Sequence, residues 1–501
     1  MKILLVYPHY PDTFWSFKHA LKFISKKAAF PPLGLLTVAT MLPGEWEKKL
    51  VDMNVTSLTD KDIKWADYVF VSAMAVQKQS AGNIIKRCKR LGAKVVAGGP
   101  LFSAEHEDFA GVDHFVLNEA EITLPLFLKD LEDGCTKHIY TCEEWPDIGM
   151  TPSPSWELID VNKYSSMSVQ YSRGCPFDCE FCDIVVLNGH RPRTKDKDQL
   201  LKELDILYRQ GWRNSVFIVD DNFIGNKRKL KAEILPAIIE WMEARGHPFS
   251  LFTEASINLA DDEELMRLMS RANFNTVFIG IETPNEESLF ECGKTQNRNR
   301  DLVAAVKKLQ NYGLQVQGGF IVGFDNDPLS IFESQINFIQ NSGIVTAMVG
   351  LLSAPHGTKL HKRLNKEGRL LKDFSGDNTD CSMNFIPSMD YDTLINGYKR
   401  ILDTIYSPKK YYERVKTFLR EYKPQAKTAF FVNFEDIRAF ARSMWIIGIR
   451  EKGQRYYWRL LAWTLVRRPR SLSLSVTLAI YGFHFRKVVE GYAVSSVEGN
   501  A

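Results

Sequence analysis

Three cysteines, Cys175, Cys179 and Cys182, stand at the spacing C-x-x-x-C-x-x-C inside Tyr171-Ser172-Arg173-Gly174-Cys175-Pro176-Phe177-Asp178-Cys179-Glu180-Phe181-Cys182. Thiolates hold iron in iron–sulfur clusters, and a [4Fe–4S] cube has four irons. Three local ligands leave one iron open, and an open metal position is where a small molecule binds and reacts. A structural zinc would want a fourth Cys or His, for which His190 is the nearest candidate. Plain core cysteines are the third reading. Cys88, Cys135, Cys142, Cys292 and Cys381 are scattered and read as core or surface residues.

The cysteines must be held by the elements around them. From residue 168 to about 355 a strand–helix unit repeats, with strands expected at Ser168–Arg173, Ser215–Asp220, Phe249–Ala255, Thr276–Glu282, Gln315–Val322 and Thr346–Leu352. Helices separate them, among them Gln199–Arg209, Glu263–Ser270 and Asp301–Asn311. In the first of these Leu200, Leu204 and Leu207 recur at helical spacing and Gly211 closes the segment. The cysteines follow the first strand, at its carboxyl end, and parallel strand–helix folds build their chemistry at such ends.

Residues 1–145 alternate strands (Lys2–Pro8, Lys49–Met53, Asp67–Ala73, Lys94–Ala97, Asp113–Leu117) with helices such as Ser80–Leu91. That order predicts a parallel sheet wound on both faces, with ligands beyond the strands' carboxyl ends. The loops there are Ser72-Ala73-Met74-Ala75-Val76-Gln77, Gly98-Gly99-Pro100 and Asn118-Glu119-Ala120-Glu121. Paired glycines let backbone approach a large ligand closely. A response-regulator-like or nucleotide-binding fold would look similar. Residues 146–167, with Pro146, Pro152 and Pro154 and the tryptophan Trp156, read as a linker.

The chain of 501 residues carries eight cysteines and no secreted disulfide pattern. Nothing like a signal peptide opens it, and no run of 18 apolar residues occurs, so a reducing cytoplasm is the expected compartment. Its net charge of +4 hides an asymmetry: residues 408–501 hold 18 Lys/Arg against 7 Asp/Glu, leaving the rest of the chain acidic. A basic tail on an acidic body suggests a separate module with an anionic partner.

The cysteine motif, with Phe181 before its last cysteine, resembles that of the radical S-adenosylmethionine (SAM) superfamily, in which SAM chelates the fourth iron and is cleaved to a 5′-deoxyadenosyl radical. The resemblance implies a partial (β/α)6 barrel and roles for further strand ends. Asp221 in Asp220-Asp221-Asn222-Phe223 would lie by the SAM amino group, and Glu282 in Gly280-Ile281-Glu282-Thr283 by the ribose. Gly319 and Gly323 in Gly319-Phe320-Ile321-Val322-Gly323 would belong to the adenine motif. The final acid of that motif falls on Asn326, between Asp325 and Asp327, and is not assigned. Pro355-His356-Gly357-Thr358 resembles the family's turn after the sixth strand.

The first 145 residues resemble the Rossmann-like cobalamin-binding domain of the cobalamin-dependent radical SAM subgroup. The shared features are Phe30-Pro31-Pro32-Leu33-Gly34-Leu35 and Gly98-Gly99-Pro100, with a departure at Asn118-Glu119-Ala120-Glu121. Cofactor contacts would come from Ser72, Gln77, Gly98, Gly99 and Glu119. The D-x-H-x-x-G element is missing, which implies cobalamin without a histidine below cobalt; His106, His114 and His138 lie outside such a context.

The whole order—1–145 cobalamin domain, 146–167 linker, 168–399 barrel, 400–501 mainly helical basic region—resembles the group that includes the hopanoid C-2 methylases. It implies a C-methyltransferase using a [4Fe–4S] cluster, SAM and cobalamin, with an external flavodoxin- or ferredoxin-like electron donor. In that class methylcobalamin delivers a methyl group to an unactivated carbon. The alternatives are a cobalamin-using enzyme that forms or rearranges rings, and an RNA methylthiotransferase, whose second cysteine set and RNA-binding barrel are not seen. Arg455-Tyr456-Tyr457-Trp458-Arg459 and Arg467-Arg468-Pro469-Arg470 suit a membrane interface. A peripheral position on the membrane's inner face is therefore expected. A helical cap with a solvated basic face is the other reading, and nucleic acid is not expected.

Overall fold

The first strand, β1 (Lys2–Tyr7), is apolar on both faces because it lies inside a parallel sheet covered on both sides. Leu4 and Val6 join one hydrophobic cluster with Val69 and Val71, while Ile3 and Leu5 join the opposite one with Tyr68 and Phe70. The other strands are β2 (Glu47–Asp52), β3 (Tyr68–Ser72), β4 (Lys94–Gly98), β5 (His114–Val116) and β6 (Ile139–Tyr140), in the order β2-β1-β3-β4-β5-β6. The two-residue β6 was not anticipated; it is too short to show periodicity. A computed structural model describes residues 1–371, 375–377, 379–424 and 434–498.

The second sheet opens with β7 (Met167–Val169). The single strand expected over Ser168–Arg173 is broken: β8 (Ser172–Arg173) leaves the sheet and pairs antiparallel with β9 (Arg193–Thr194). The cause is Asp220, which accepts from the Tyr171 N–H at 2.8 Å and the Ser172 hydroxyl at 2.6 Å and pulls the chain aside. The sheet continues through β10 (Ser215–Ile218), β11 (Ser250–Glu254), β12 (Phe274–Glu282), β13 (Gln315–Val322) and β14 (Ala347–Leu351). Each strand pairs in parallel with the next, and β7 and β14 form its two edges, giving a partial (β/α)6 barrel.

Residues 146–167 are packed rather than loose. Trp156 and Tyr164 are buried, and the Tyr164 hydroxyl donates to Asp52 at 2.9 Å. Phe30 of the first domain enters the barrel, against Phe217 and Phe252, which stack at 4.7 Å.

Helices Tyr391–Ile405, Pro408–Glu421, Phe434–Trp445, Gln454–Arg467 and Leu472–Glu498 form the carboxyl-terminal region, and residue 400 falls inside the first of them. The expectation of a separate module does not hold, because these helices share one core with the barrel. The Tyr406 hydroxyl donates to Ala347 O at 2.7 Å, the Tyr411 hydroxyl to Leu478 O at 2.6 Å, and Phe485 stacks on Phe14 at 4.2 Å. His484 Nε2 donates to Phe14 O at 2.9 Å, and burial pushes this imidazole down to about 4, keeping it neutral.

Candidate active site

The cysteine loop begins at Gly174, whose φ of +94° only glycine adopts at low cost. A Cβ there would stand 2.9 Å from the carbonyl oxygens of Gly189 and Arg191. The Gly174 N–H and the Asn188 side chain both donate to Asp221, at 2.8 and 3.0 Å. Burial pushes the Asp221 carboxyl up, against the pull of these donors, and pushes Asp220 up to about 7. Asp220 and Asp221 together staple the end of β10 to the loop that carries the cysteines.

Burial raises all three thiols, so free thiolates are disfavoured there and a cationic centre is needed to hold them deprotonated. Asn222 Nδ2 lies 3.9 Å from the Cys175 sulfur and Gln296 Nε2 3.9 Å from that of Cys179, as donors to ligating sulfur would. Gln296 Oε1 is buried without a partner among the described residues. Among the described residues no three Cys, His, Asp or Glu side chains converge on a point suited to one ion. In a cubane each thiolate holds a different iron, so this donor set fits the cluster better than zinc.

Glu282 sits at φ +63°, a strained conformation of the kind that gathers at functional sites. Its carboxylate accepts from Lys294 at 2.5 Å. Burial works against the Lys294 ammonium, but Glu282 and the neighbouring Cys179 outweigh it and hold the cation. Lys294 and Gln296 had no sequence signal, since they reach the site from the segment beyond β12, whereas Asn222 stood in the strand-end motif without a role of its own.

The sheets present their carboxyl ends to a common cleft of about 880 Å³, lined by Ser72, Gly98, Gly99, Glu119, Phe181, Cys182, Asp221, Glu282 and Gly319. Gly99 has φ +92°, and a Cβ on it would come within 2.6 Å of Ser72 Oγ. Cleft and paired glycines suit a large flat ligand on the first domain's side. Two of the expected contacts are elsewhere. Gln77 is buried, its amide closing its own turn by bonds to Pro8 O and the Met74 N–H. Gly323 packs against Leu394 and Met383, and its N–H donates to Asp327.

Glu119 lines the cleft, yet both its oxygens are taken by arginines of the barrel. Arg173 Nη1 donates at 2.5 Å and Arg193 Nη2 at 2.5 Å, while Arg173 Nη2 reaches Glu121 at 2.8 Å. The acidic pair is thus a latch between the two sheets. Asp325 serves a similar structural end, bound by Arg363 and Arg369, and Asn326 donates to Glu291.

A second cavity, about 1550 Å³, adjoins the cleft at Met74, Val76, Phe278, Met348 and Gly376. It runs through the barrel interior past Phe252, Phe30 and Trp15 to the carboxyl-terminal helices, and its lining is mostly apolar. Glu254 points into it, with no hydrogen bond or ion pair among the described residues. Burial first, then Asp221 and Asp220, push its carboxyl up to about 8, so it is largely protonated at neutral pH.

Comparison with known proteins identifies both sheets. Residues 24–128 match the B12 binding domain, residues 169–339 the Radical SAM superfamily, and residues 358–496 a domain of unknown function (DUF4070). These matches and the three-cysteine loop define a radical SAM enzyme that binds cobalamin. Similar chains include an uncharacterised methyltransferase of Synechocystis sp., 43% identical over 97% of this chain and 91% of that protein. The hopanoid C-2 methylase of Rhodopseudomonas palustris is 35% identical over 93% of this chain and 90% of that one. By this likeness the chain belongs to the cobalamin-dependent radical SAM methyltransferases, with a [4Fe–4S] cluster, SAM and cobalamin as cofactors. In fold it is similar to the radical SAM methyltransferase TsrM of Kitasatospora setae, solved with cobalamin and a [4Fe–4S] cluster (TM-score 0.63, 14% identity, covering 98% of this chain and 99% of that one).

Proposed function

We propose that this methyltransferase acts on an unactivated carbon of an apolar, polycyclic lipid of the hopanoid type. The observation that carries the reading is the 1550 Å³ apolar chamber opening onto the cofactor cleft. A rigid hydrocarbon gains affinity there by burying its surface against Phe252, Phe278 and Trp15. The 35% identity to a hopanoid C-2 methylase supports the same substrate class.

In this reading Cys175, Cys179 and Cys182 hold the cluster from the barrel of residues 168–399, and Lys294 with Glu282 and Asp221 borders SAM. Ser72, Gly98 and Gly99 face cobalamin from the domain of residues 1–145. When bound, these cofactors supply a hydrogen-abstracting radical and a transferable methyl group. The protein's own part is to hold both cofactors at one cleft, present the substrate carbon between them and exclude water through the apolar lining. An external flavodoxin- or ferredoxin-like protein supplies the electron, and the enzyme works peripherally on the membrane's inner face.

Lipid profiling by mass spectrometry of cells with and without this chain tests the reading. A lipid heavier by one CH₂ only in expressing cells is the expected result. A methylated soluble metabolite or RNA in its place would overturn it.

A further inference from the structure

The carboxyl-terminal helices carry an exposed apolar face. Helix Phe434–Trp445 and the turn that continues it, Ile446–Arg450, expose Ile437 (56%), Ala441, Trp445 (52%) and Ile449 (54%) at four-residue steps. Helix Gln454–Arg467 exposes Trp458, Ala462, Leu465 and Val466, the last at 78%. The two stripes meet at one end, where Trp458 lies over Gly448 and donates from Nε1 to the Gly448 carbonyl at 2.9 Å. Soluble monomers seldom leave large apolar patches open, and such patches mark interaction sites.

Cations border it. Arg438, Arg450, Arg459, Arg467 and Arg470 form no ion pair among the described residues, and Arg450 lies over the Trp445 ring at 5.0 Å. Both stripes also end at the chamber. Ile437 and Phe440 line it from the first helix, and Pro469, Arg470 and Ser473 line it just beyond Val466. Ile437, Pro469, Arg470 and Ser473, with Asp436, are exposed while lining the cavity, which gives it one opening there; exposed His9, Pro11, Asp12 and Lys18 line a second opening on the first domain's side. No helix among the described residues is long and apolar enough to cross a membrane.

We propose that this face docks on an anionic lipid bilayer and that the chamber loads from the bilayer through the mouth beside it. The loading step rests on the apolar-lipid reading; the docking step does not. Apolar side chains enter the headgroup boundary while the arginines meet lipid phosphate, the geometry of an interfacial helix pair. Substrate then passes from lipid to Phe252 and Phe278 without crossing water.

Co-sedimentation of the full chain with phosphatidylglycerol–phosphatidylcholine vesicles, and with phosphatidylcholine alone, is the test. Binding is expected to the anionic vesicles at 0.1 M salt and to fall at least tenfold at 1 M, where the Debye length shrinks from about 10 to about 3 Å. The double variant I449E/V466E, two exposed residues that do not line the chamber, should lose vesicle binding at least tenfold. It should keep cluster absorbance and activity on detergent-dispersed substrate, yet lose activity on vesicle-embedded substrate. Absence of wild-type binding to anionic vesicles overturns the docking whatever the substrate proves to be. Full binding by the double variant, or its conversion of a wild-type dimer into a monomer by light scattering with vesicle binding unchanged, overturns the assignment of this face. Intact docking together with a soluble methylated product overturns the loading step alone.

Discussion

Arg173, two residues before Cys175, donates to Glu119 at 2.5 Å and to Glu121 at 2.8 Å across the junction of the two sheets. The residue that leads into the cysteine loop is therefore fastened to the turn after β5 of the cobalamin domain. Arg193, from the strand paired with β8, closes on the same Glu119 carboxylate. The relative position of the two cofactor sites depends on this latch.

Replacing Glu119 by Gln removes the anion that both guanidinium groups share. Breaking a buried pair from one side costs about 3–5 kcal/mol, and Glu121, still paired with Arg173, keeps the loss near the lower figure. Calorimetry should show a lower unfolding midpoint for E119Q. R193Q added to E119Q should cost less than R193Q alone, with a coupling of roughly 0.5–3 kcal/mol. Equal midpoints for wild type and E119Q would show that the latch carries no stability.

The cysteine loop has a separate point of failure at Gly174. G174A forces a side chain into a left-handed position costing about 1–3 kcal/mol, and into contact with three carbonyl oxygens. Iron content after reconstitution should fall below that of the wild type. Changing Cys175, Cys179 and Cys182 together to Ala should abolish iron–sulfur absorbance and SAM cleavage while circular dichroism stays native. Retention of about four irons by that triple variant would refute the cluster assignment.

Glu254 predicts a pH dependence. Its carboxyl is raised from 4.5 to about 8, so the folded state binds this proton more tightly than the unfolded chain. Its contribution to stability is complete below about 4.5 and declines as pH rises towards 8. E254Q carries no such term. The variant should gain midpoint over the wild type from pH 5 to 8, by at most roughly 1.4 kcal/mol per pH unit, and no further above 8. A midpoint difference that stays flat with pH would place the Glu254 carboxyl in water rather than in the chamber.

Cobalamin should bind with no protein imidazole beneath cobalt. Of the first domain's five histidines, His114 is engaged with Lys137 O and His138 with Asp113 O, His9 lines the adjoining chamber, and none of these, His19 or His106 lines the cleft. His356 does line it, but from the barrel side. Electron paramagnetic resonance of the cobalt(II) form should lack nitrogen splitting from an axial imidazole. Splitting that disappears in H356A would refute the expectation and name the ligand.

Truncation after residue 407, attractive from the charge asymmetry alone, is a poor test of the tail. It would strip Tyr411 and Phe485 from the shared core, and removing two buried aromatics costs about 3–5 kcal/mol each.

What the chain declares by itself is local. The cysteine spacing, the strand–helix alternation and Phe30-Pro31-Pro32-Leu33-Gly34-Leu35 each lie within a few residues, and they sufficed for the class, the order of the sheets and the cofactors. Periodicity reports that a face is buried, not what covers it. So Phe30 carried no sign that it enters the barrel, nor Glu119 that its partners lie 54 and 74 residues on. Gln77 and Gly323 matched strand-end positions, but their neighbours turn both away from the cleft. Basic charge in the tail was plain in composition. Only packing decided that its helices complete the barrel's core and leave arginine-edged apolar stripes beside the chamber, because contacts between distant segments are set by complementary shape and leave no spacing to read.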